Sequence, residues 1–382
     1  MSRKKILWLC SWYPGRIEPF NGDFIQRHAQ AASLFNDIYV LHVYGDQSGS
    51  TATTKEELRQ SGHLTEQIIY FPKKAGAMGK LWGAWKWFRL FRRAIRQYVS
   101  NQGKPDAVHV HVPMKAGIFA LWMKSKYGVR YFVSEHWGIY NETVADPFVK
   151  RTENFRKYTR RIFRSAEMAV SPSEFLSKGV DDRVVKKEWT IIPNVVNTEL
   201  FNYRAKTEGA EFRFIHVSNM ISLKNPEGIL RAFAGLLQLN RKAELVMVGD
   251  KDASLKLLAN QLGIQDKVRF TGEISYEKVA LEMKVANCLV LFSEMENSPC
   301  VIGEALCCGL PVIATRVGGI PELVNQRNGI LVSPGDTENL VAAFSEMLEN
   351  FDRFDRELIS LEAVAKFSYP VVGKQFDRLY NS

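Results

Sequence analysis

The sequence predicts an α/β protein made of two doubly wound, Rossmann-like domains facing each other across a cleft. Three observations carry that expectation. Short β-branched runs alternate with helical patterns along most of the chain, the signature of right-handed β-α-β units and parallel sheets. The 382 residues exceed one ordinary core and suit two domains. A polar stretch at 194–211, NVVNTELFNYRAKTEGAE, separates two such series and reads as the linker.

The first series opens with ILWLC. Its basic head, MSRKK, is followed by only Ile6 to Cys10 as an apolar run, too short for a secretory signal, so the segment reads as a first buried strand. DIYVLHV, QIIYF, DAVHVHV, RYFVSE, EMAVS and WTIIP follow as strands, and the first domain is set at 1–197. FRFIHV, AELVMVG, KVRFTG, NCLVLF, PVIATR and GILVS make the second, at 198–366. Residues 367–382 are expected to form a helix packing back on the first domain. The longest apolar runs are strand-sized, so no membrane span is read, and no tandem repeat stands out.

The five cysteines, Cys10, Cys288, Cys300, Cys307 and Cys308, show no C-x-x-C spacing. An odd number of thiols in apolar surroundings fits a reducing cytoplasm rather than a disulfide framework. The formal charge of +10 favours anionic partners: nucleic acid, anionic lipid or phosphorylated small molecules.

One helix is legible in detail from its own pattern. In MGKLWGAWKWFRLFRRAIRQYV, residues 78–99, helical spacing places Leu81, Trp85, Phe88, Phe91, Ile95 and Val99 on one apolar stripe. Lys86, Arg89, Arg93 and Arg96 cluster on another face, with Trp82 among them. The stripe is expected to be buried, since the β-α series requires a covering helix here. The basic face with Trp82 is then left for peripheral contact with anionic lipid at the inner face of a membrane.

Ligands in doubly wound sheets bind beyond the carboxyl ends of the strands. The unusual residues fall there: Pro14 to Gly22 after the first strand, His136 after RYFVSE, Lys224 after FRFIHV, Gly249-Asp250 after AELVMV, Glu296 after NCLVLF, and Gly318-Gly319 after PVIATRV. In ENSPCVIGEALCCG, Ser298 reads as a helix cap, Pro299 as the first helical residue and Gly309 as the stop. The open N–H groups around Cys300 and Val301 would attract phosphate. Glu296 and Glu304, one before this start and one within the helix, suit hydroxyl recognition, because an ionised carboxylate is a strong pure acceptor. One Glu per sugar with a diphosphate between them describes a nucleotide-sugar. Two glutamates eight apart are, on their own, more often the mark of an ordinary capped helix carrying an exposed Glu.

ENSPCVIGE followed by EALCCGLPVIATRVGGIPELV resembles the donor-binding segment of glycosyltransferase family 4, whose members share the two-domain GT-B fold. The likeness takes in P-x-N-G-D-F-I-Q-R-H from Pro19 to His28, SEHW at 134–137, SPSEF at 171–175, IPNVVN at 192–197, SNMISLKNPEG at 218–228, VGD at 248–250 and TGEIS at 271–275. The resemblance implies that Glu304 holds ribose hydroxyls and Glu296 lies against the transferred sugar. Amides of Ser298, Pro299, Cys300 and Val301 meet sugar and diphosphate (Pro299 can offer only its carbonyl). Lys224 neutralises the diphosphate, Gly22 admits the phosphates, and His136 contacts the sugar near the reacting carbon. Gly249, Asp250 and the TGEIS segment with Ile274 complete the donor pocket. The arginine usual before the lysine is missing from Ser218 to Leu223, so either Asn219 and Ser218 donate neutral hydrogen bonds instead or a cation arrives from elsewhere.

The function so implied is retaining glycosyl transfer from a UDP- or GDP-linked sugar to a glycan or lipid-linked acceptor, in surface polysaccharide biosynthesis. Transfer is expected on the front face, with no cofactor, no metal and no nucleic acid. His109 and His111 share a strand face, but no third and fourth metal ligand with convincing spacing accompanies them; His111 is expected to border the cleft. Asp250-Lys251-Asp252 spells D-x-D, yet follows a second-domain strand where the family has a simple Gly-Asp loop. A nucleotide-sugar 2-epimerase of similar fold would need no acceptor. A polyanion-binding module would need exposed aromatics interleaved with basic residues, which only helix 78–99 offers.

Overall fold

The computed structural model describes all residues except 1–2, 142–143, 145, 206–210, 240 and 251–252. The chain divides into two compact units, Met1–Asn194 with Tyr369–Ser382, and Val195–Ser368. The sequence had set these divisions at 197 and 366.

Unit 1 contains β1 Lys5–Cys10, α1 Asp23–Ser33, β2 Asp37–Asp46, β3 Lys55–Ser61, β4 Leu64–Pro72, α2 Gly76–Gln102, β5 Ala107–His111, α3 Pro113–Tyr127, β6 Tyr131–Ser134, α4 Glu153–Ser165, β7 Ala169–Ser171, α5 Glu174–Arg183 and β8 Trp189–Ile191. Its eight-stranded sheet runs β3-β4-β2-β1-β5-β6-β7-β8. Every neighbouring pair is parallel except β3 with β4. Unit 2 contains β9 Phe212–Val217, α6 Pro226–Gln238, β10 Ala243–Val248, α7 Ala253–Gln261, β11 Val268–Gly272, α8 Tyr276–Val285, β12 Cys288–Leu291, α9 Cys300–Cys307, β13 Val312–Thr315, β14 Gly329–Val332, α10 Thr337–Glu349 and α11 Arg356–Phe367. Its sheet is wholly parallel, in the order β11-β10-β9-β12-β13-β14. The order steps outward from β9 and then resumes on its other side at β12. This reversal is the switch point beside which open α/β sheets bind ligands.

All thirteen strands read from the sequence are present, and β3 is the addition. Its seven residues, KEELRQS, are almost wholly exposed, so no apolar alternation announces it. It forms a hairpin with β4 at the sheet edge, where charge discourages further pairing. The last helix, α12 Tyr369–Asn381, belongs to unit 1. Tyr380 anchors it, receiving a hydrogen bond from Trp8 Nε1 at 3.1 Å and lying 2.7 Å from His109 Nδ1.

Two expectations need correction. The polar linker is narrower than read: Val195, Val196 and Phe201 are buried, and Val196 N donates to Phe367 O at 2.9 Å within unit 2. Residues 206–210, with Gly209, lie outside the described residues. The apolar stripe of helix 78–99 is only half buried. Phe91 and Ile95 join the core, whereas Leu81, Trp85 and Phe88 are exposed. The helix packs on β2 and β4: Trp87 Nε1 donates to Val43 O at 2.9 Å, and the Tyr98 ring lies 4.8 Å from that of Tyr39. The covered face runs through Gly79, Gly83, Phe91, Ala94 and Tyr98, so the predicted stripe straddles its edge.

Candidate functional site

In unit 2 the loops leaving the carboxyl ends of β9, β10, β12 and β13 carry most of the predicted residues. Buried His216, near the end of β9, organises the first of them. Its Nδ1 is 2.8 Å from Val290 O and its Nε2 2.8 Å from Ser218 Oγ. Burial chiefly lowers its pKa to about 4, so the ring is neutral near pH 7. A carbonyl only accepts, so Nδ1 carries the proton and Nε2 accepts from Ser218. Ser218 Oγ in turn accepts from Met220 N at 3.0 Å. The Ser218 proton is thus committed to His216, which corrects the expectation that Ser218 stands in for the missing arginine. Asn219 is exposed.

Lys224 ends a single 3₁₀ turn after this loop. Its Nζ lies 2.6 Å from Oε1 of Glu296, a buried carboxylate that also accepts from Ser293 Oγ at 2.8 Å. Glu294 N donates to Leu223 O at 2.8 Å, tying the two loops together. Close backbone approaches fix the glycines. At Gly318 (φ 55°) a Cβ would fall 1.6 Å from Glu296 O, and at Gly249 (φ 148°) 1.7 Å from Ser218 O. Gly249 therefore packs one loop against another. Asp250 beside it is exposed, and Lys251 and Asp252 lie outside the described residues.

The helix start differs by one residue from its sequence reading. Pro299 holds ψ 120° and occupies the cap position with no side-chain cap, so α9 begins at Cys300 rather than at Pro299 behind a Ser298 cap. Ser298, Pro299, Cys300 and Val301 are all half-buried. The first-turn N–H groups of α9 point back toward residues 296–299, as those of any helix start do. Gly309 (φ 69°) stops it: Gly309 N donates to Leu306 O and Leu310 N to Ala305 O, both at 2.9 Å. Glu304 is buried in α9 and accepts from Tyr276 OH at 2.8 Å. Tyr276, whose ring lies 4.9 Å from that of Phe201, thereby ties the TGEIS segment to α9. Ile274 of that segment is half-buried against the unit 2 core. Sequence reasoning missed Tyr276, and no spacing links it to Glu304.

In unit 1, Gly22 (φ 73°) starts α1, and a Cβ there would come 3.0 Å from Trp12 Cβ and 3.2 Å from Tyr13 N. After β6, buried Glu135 caps its own turn. Oε1 accepts from His136 N at 2.8 Å and Trp137 N at 2.9 Å, while Oε2 accepts from Tyr140 OH at 2.5 Å. Burial outweighs these bonds and raises its pKa to about 7. The half-buried His136 ring stacks on His111 (centroids 5.8 Å) and lies 4.9 Å from Phe24. Burial, reinforced by His28 and His109, lowers its pKa well below the usual imidazole value, so it is neutral near pH 7. His111 is fully buried between Trp8 (3.9 Å) and His136, and does not border open space as expected. Among the described residues, no group of three or more His, Cys, Asp or Glu could hold a metal ion.

The family model described as glycosyl transferases group 1 matches residues 201–359, and that of glycosyltransferase family 4 matches residues 41–200. The chain is 25% identical over 297 residues to N-acetyl-alpha-D-glucosaminyl L-malate synthase of Bacillus anthracis, covering 74% of this chain and 76% of that one. It is 26% identical over 317 residues to alpha-monoglucosyldiacylglycerol synthase of Streptococcus pneumoniae, covering 74% and 70%. The crystal structure of Anabaena Alr3699/HepE in complex with UDP matches with a TM-score of 0.75 at 16% identity, over 99% of each chain. That likeness concerns the fold, which is GT-B: two Rossmann-like α/β units with parallel sheets. With models for its two halves matched in succession, the chain belongs to the group 1, family 4 glycosyltransferases.

Proposed function

We propose that this chain transfers a sugar, with retention of anomeric configuration, from a nucleotide-diphosphate donor to a glycan or lipid-linked acceptor in the cytoplasm, as a step in surface polysaccharide or glycolipid synthesis. The observation that carries the reading is the Lys224–Glu296 contact at the carboxyl edge of the unit 2 sheet, four residues before the start of α9. A cation and a helix N-terminus would stabilise the diphosphate as negative charge develops on it, and preorganised groups of this kind supply the largest catalytic term. Glu296 would accept from the transferred sugar, Glu304 from the ribose, and neutral His136 would hydrogen-bond the sugar near its reacting carbon. The acceptor hydroxyl attacks on the front face as the sugar–phosphate bond breaks, and the departing phosphate oxygen takes the hydroxyl proton. Similarity to a protein crystallised with UDP and to one named for making a glucosyldiacylglycerol supports a UDP-linked donor and a lipid-linked acceptor as first choices.

The test is a thermal-shift panel of UDP-, GDP- and other nucleotide sugars, followed by turnover with the stabilising donor. Ligand stabilisation grows with the logarithm of concentration over Kd, so one donor should stand out. Proton NMR should show a retained anomer, and turnover should persist in chelator. An inverted product would exclude the front-face route, and a flat panel would remove the donor assignment.

A further inference from the structure

Helix α2 carries large apolar side chains on the face it presents to solvent, where a covering helix is ordinarily polar. Met78, Leu81, Trp85 and Phe88 are 85%, 74%, 56% and 43% exposed. Their spacing puts them within roughly a quarter of the helix circumference, opposite Gly83, Phe91, Ala94 and Tyr98, which are buried. Further along that outward face come Arg89, Arg92, Arg93 and Arg96. No Asp or Glu occurs between Pro72 and Asp106.

The positive surface continues beyond α2. Helices α2, α3 and α4 all pack onto the same side of the unit 1 sheet through one core. They carry six, three and five Lys or Arg against a single acid, Glu153. The Arg92 guanidinium lies 5.4 Å over the Trp122 ring, joining α2 to α3, and that of Arg89 lies 5.2 Å over Trp85. A protruding apolar ridge set in a wide, nearly acid-free basic field matches one surface chemistry closely: acyl chains beneath anionic headgroups. Arginine over tryptophan is suited to that boundary, since each has an apolar body and a polar end that can face water.

We propose that the α2–α3–α4 side of unit 1 docks on an anionic lipid bilayer, with Met78, Leu81, Trp85 and Phe88 entering the headgroup–acyl boundary and the surrounding Lys and Arg meeting headgroup phosphates. The inference rests on exposure and charge in unit 1 and is independent of the donor reading in unit 2.

Flotation of the full chain with vesicles tests it. Vesicles of phosphatidylcholine alone are compared with vesicles containing one third phosphatidylglycerol, at low and high salt. Binding is expected only with the anionic vesicles, weakening as salt rises. Leu81→Glu with Trp85→Glu should lower the partition coefficient about tenfold or more, and so should Arg89→Glu with Arg93→Glu. These positions are exposed, so an unchanged melting temperature will show that the variants are folded. Absence of binding to anionic vesicles at low salt overturns the proposal. So does binding that neither folded double variant diminishes, or retention on immobilised heparin with no vesicle binding, which would make the surface a site for soluble polyanions.

Discussion

Lys224 Nζ and Glu296 Oε1 lie 2.6 Å apart, although 72 positions separate them in the chain. The contact joins the loop after β9 to the loop after β12, the two strands at which the sheet order reverses. Glu296 is buried, while Lys224 reaches solvent. Removing the cation therefore strands a carboxylate held only by Ser293 and its surroundings. Lys224→Ala should destabilise the protein by about 2 kcal/mol, less than the 3–5 of a fully enclosed pair because Lys224 is partly solvated. Lys224→Met with Glu296→Gln should recover most of that loss. Urea unfolding of the single and double variants measures it, and additive effects would show that the pair is not coupled.

The same pair separates binding from turnover. Glu296→Gln frees Lys224 for a diphosphate while removing the acceptor proposed for the transferred sugar. Nucleoside-diphosphate affinity should hold or rise, and turnover should fall by about 10²-fold or more, the scale of losing one transition-state contact. A comparable loss in both would mean that Glu296 shapes the loop rather than meeting the sugar.

Tyr276 and Glu304 make the second link, between the TGEIS segment and α9. Glu304→Ala should abolish the donor's thermal shift. Tyr276→Phe should keep the fold at a cost of about 1 kcal/mol and reduce the shift, because Glu304 loses one hydrogen bond that orients it. A Tyr276→Phe protein with the full shift would make that bond incidental to binding.

How much of this was legible follows from what sequence patterns encode. Thirteen strands were readable because each is a short apolar run between polar residues, and the parallel topology follows from their alternation with helices. Gly309 was readable because its left-handed φ is a local requirement. What needed the third dimension was different in kind. Periodicity put Leu81 and Ile95 on one stripe, but the fold centres the covered face of α2 on Gly83, Phe91, Ala94 and Tyr98, which leaves Leu81 outside it. Ser-Pro resembles a cap and first turn, yet Pro299 kept an extended ψ and delayed the helix by one residue. Tyr276 meets Glu304 only through the fold. The Ser218 proton was assignable only once Val290 was seen to fix the His216 tautomer.

Six histidines are neutral because desolvation disfavours the charged ring, five of them being buried and His136 half-buried. Burial lowers His28, His42 and His216 to about 4 and His109 to about 3, and holds His111 and His136 well below the usual 6.5. Their folded pKa values lie below the unfolded one, so between these values the unfolded chain binds more protons. Their contribution to stability is full above pH 6.5 and is lost as pH falls toward 4. Each group steepens the fall by about 1.4 kcal/mol per pH unit. Glu135 acts in the opposite direction: raised from 4.5 to about 7, it contributes most below 4.5 and loses that contribution as pH rises through 7. Several imidazoles outweigh one carboxyl, so stability should peak near neutrality and drop steeply on the acid side. Melting temperatures from pH 8 to pH 5 will show this. Glu135→Gln removes the titrating carboxyl, and its stability relative to the parent should rise with pH between 5 and 8. A melting temperature that stays level from pH 7 to pH 5 would contradict the burial of these rings as neutral species.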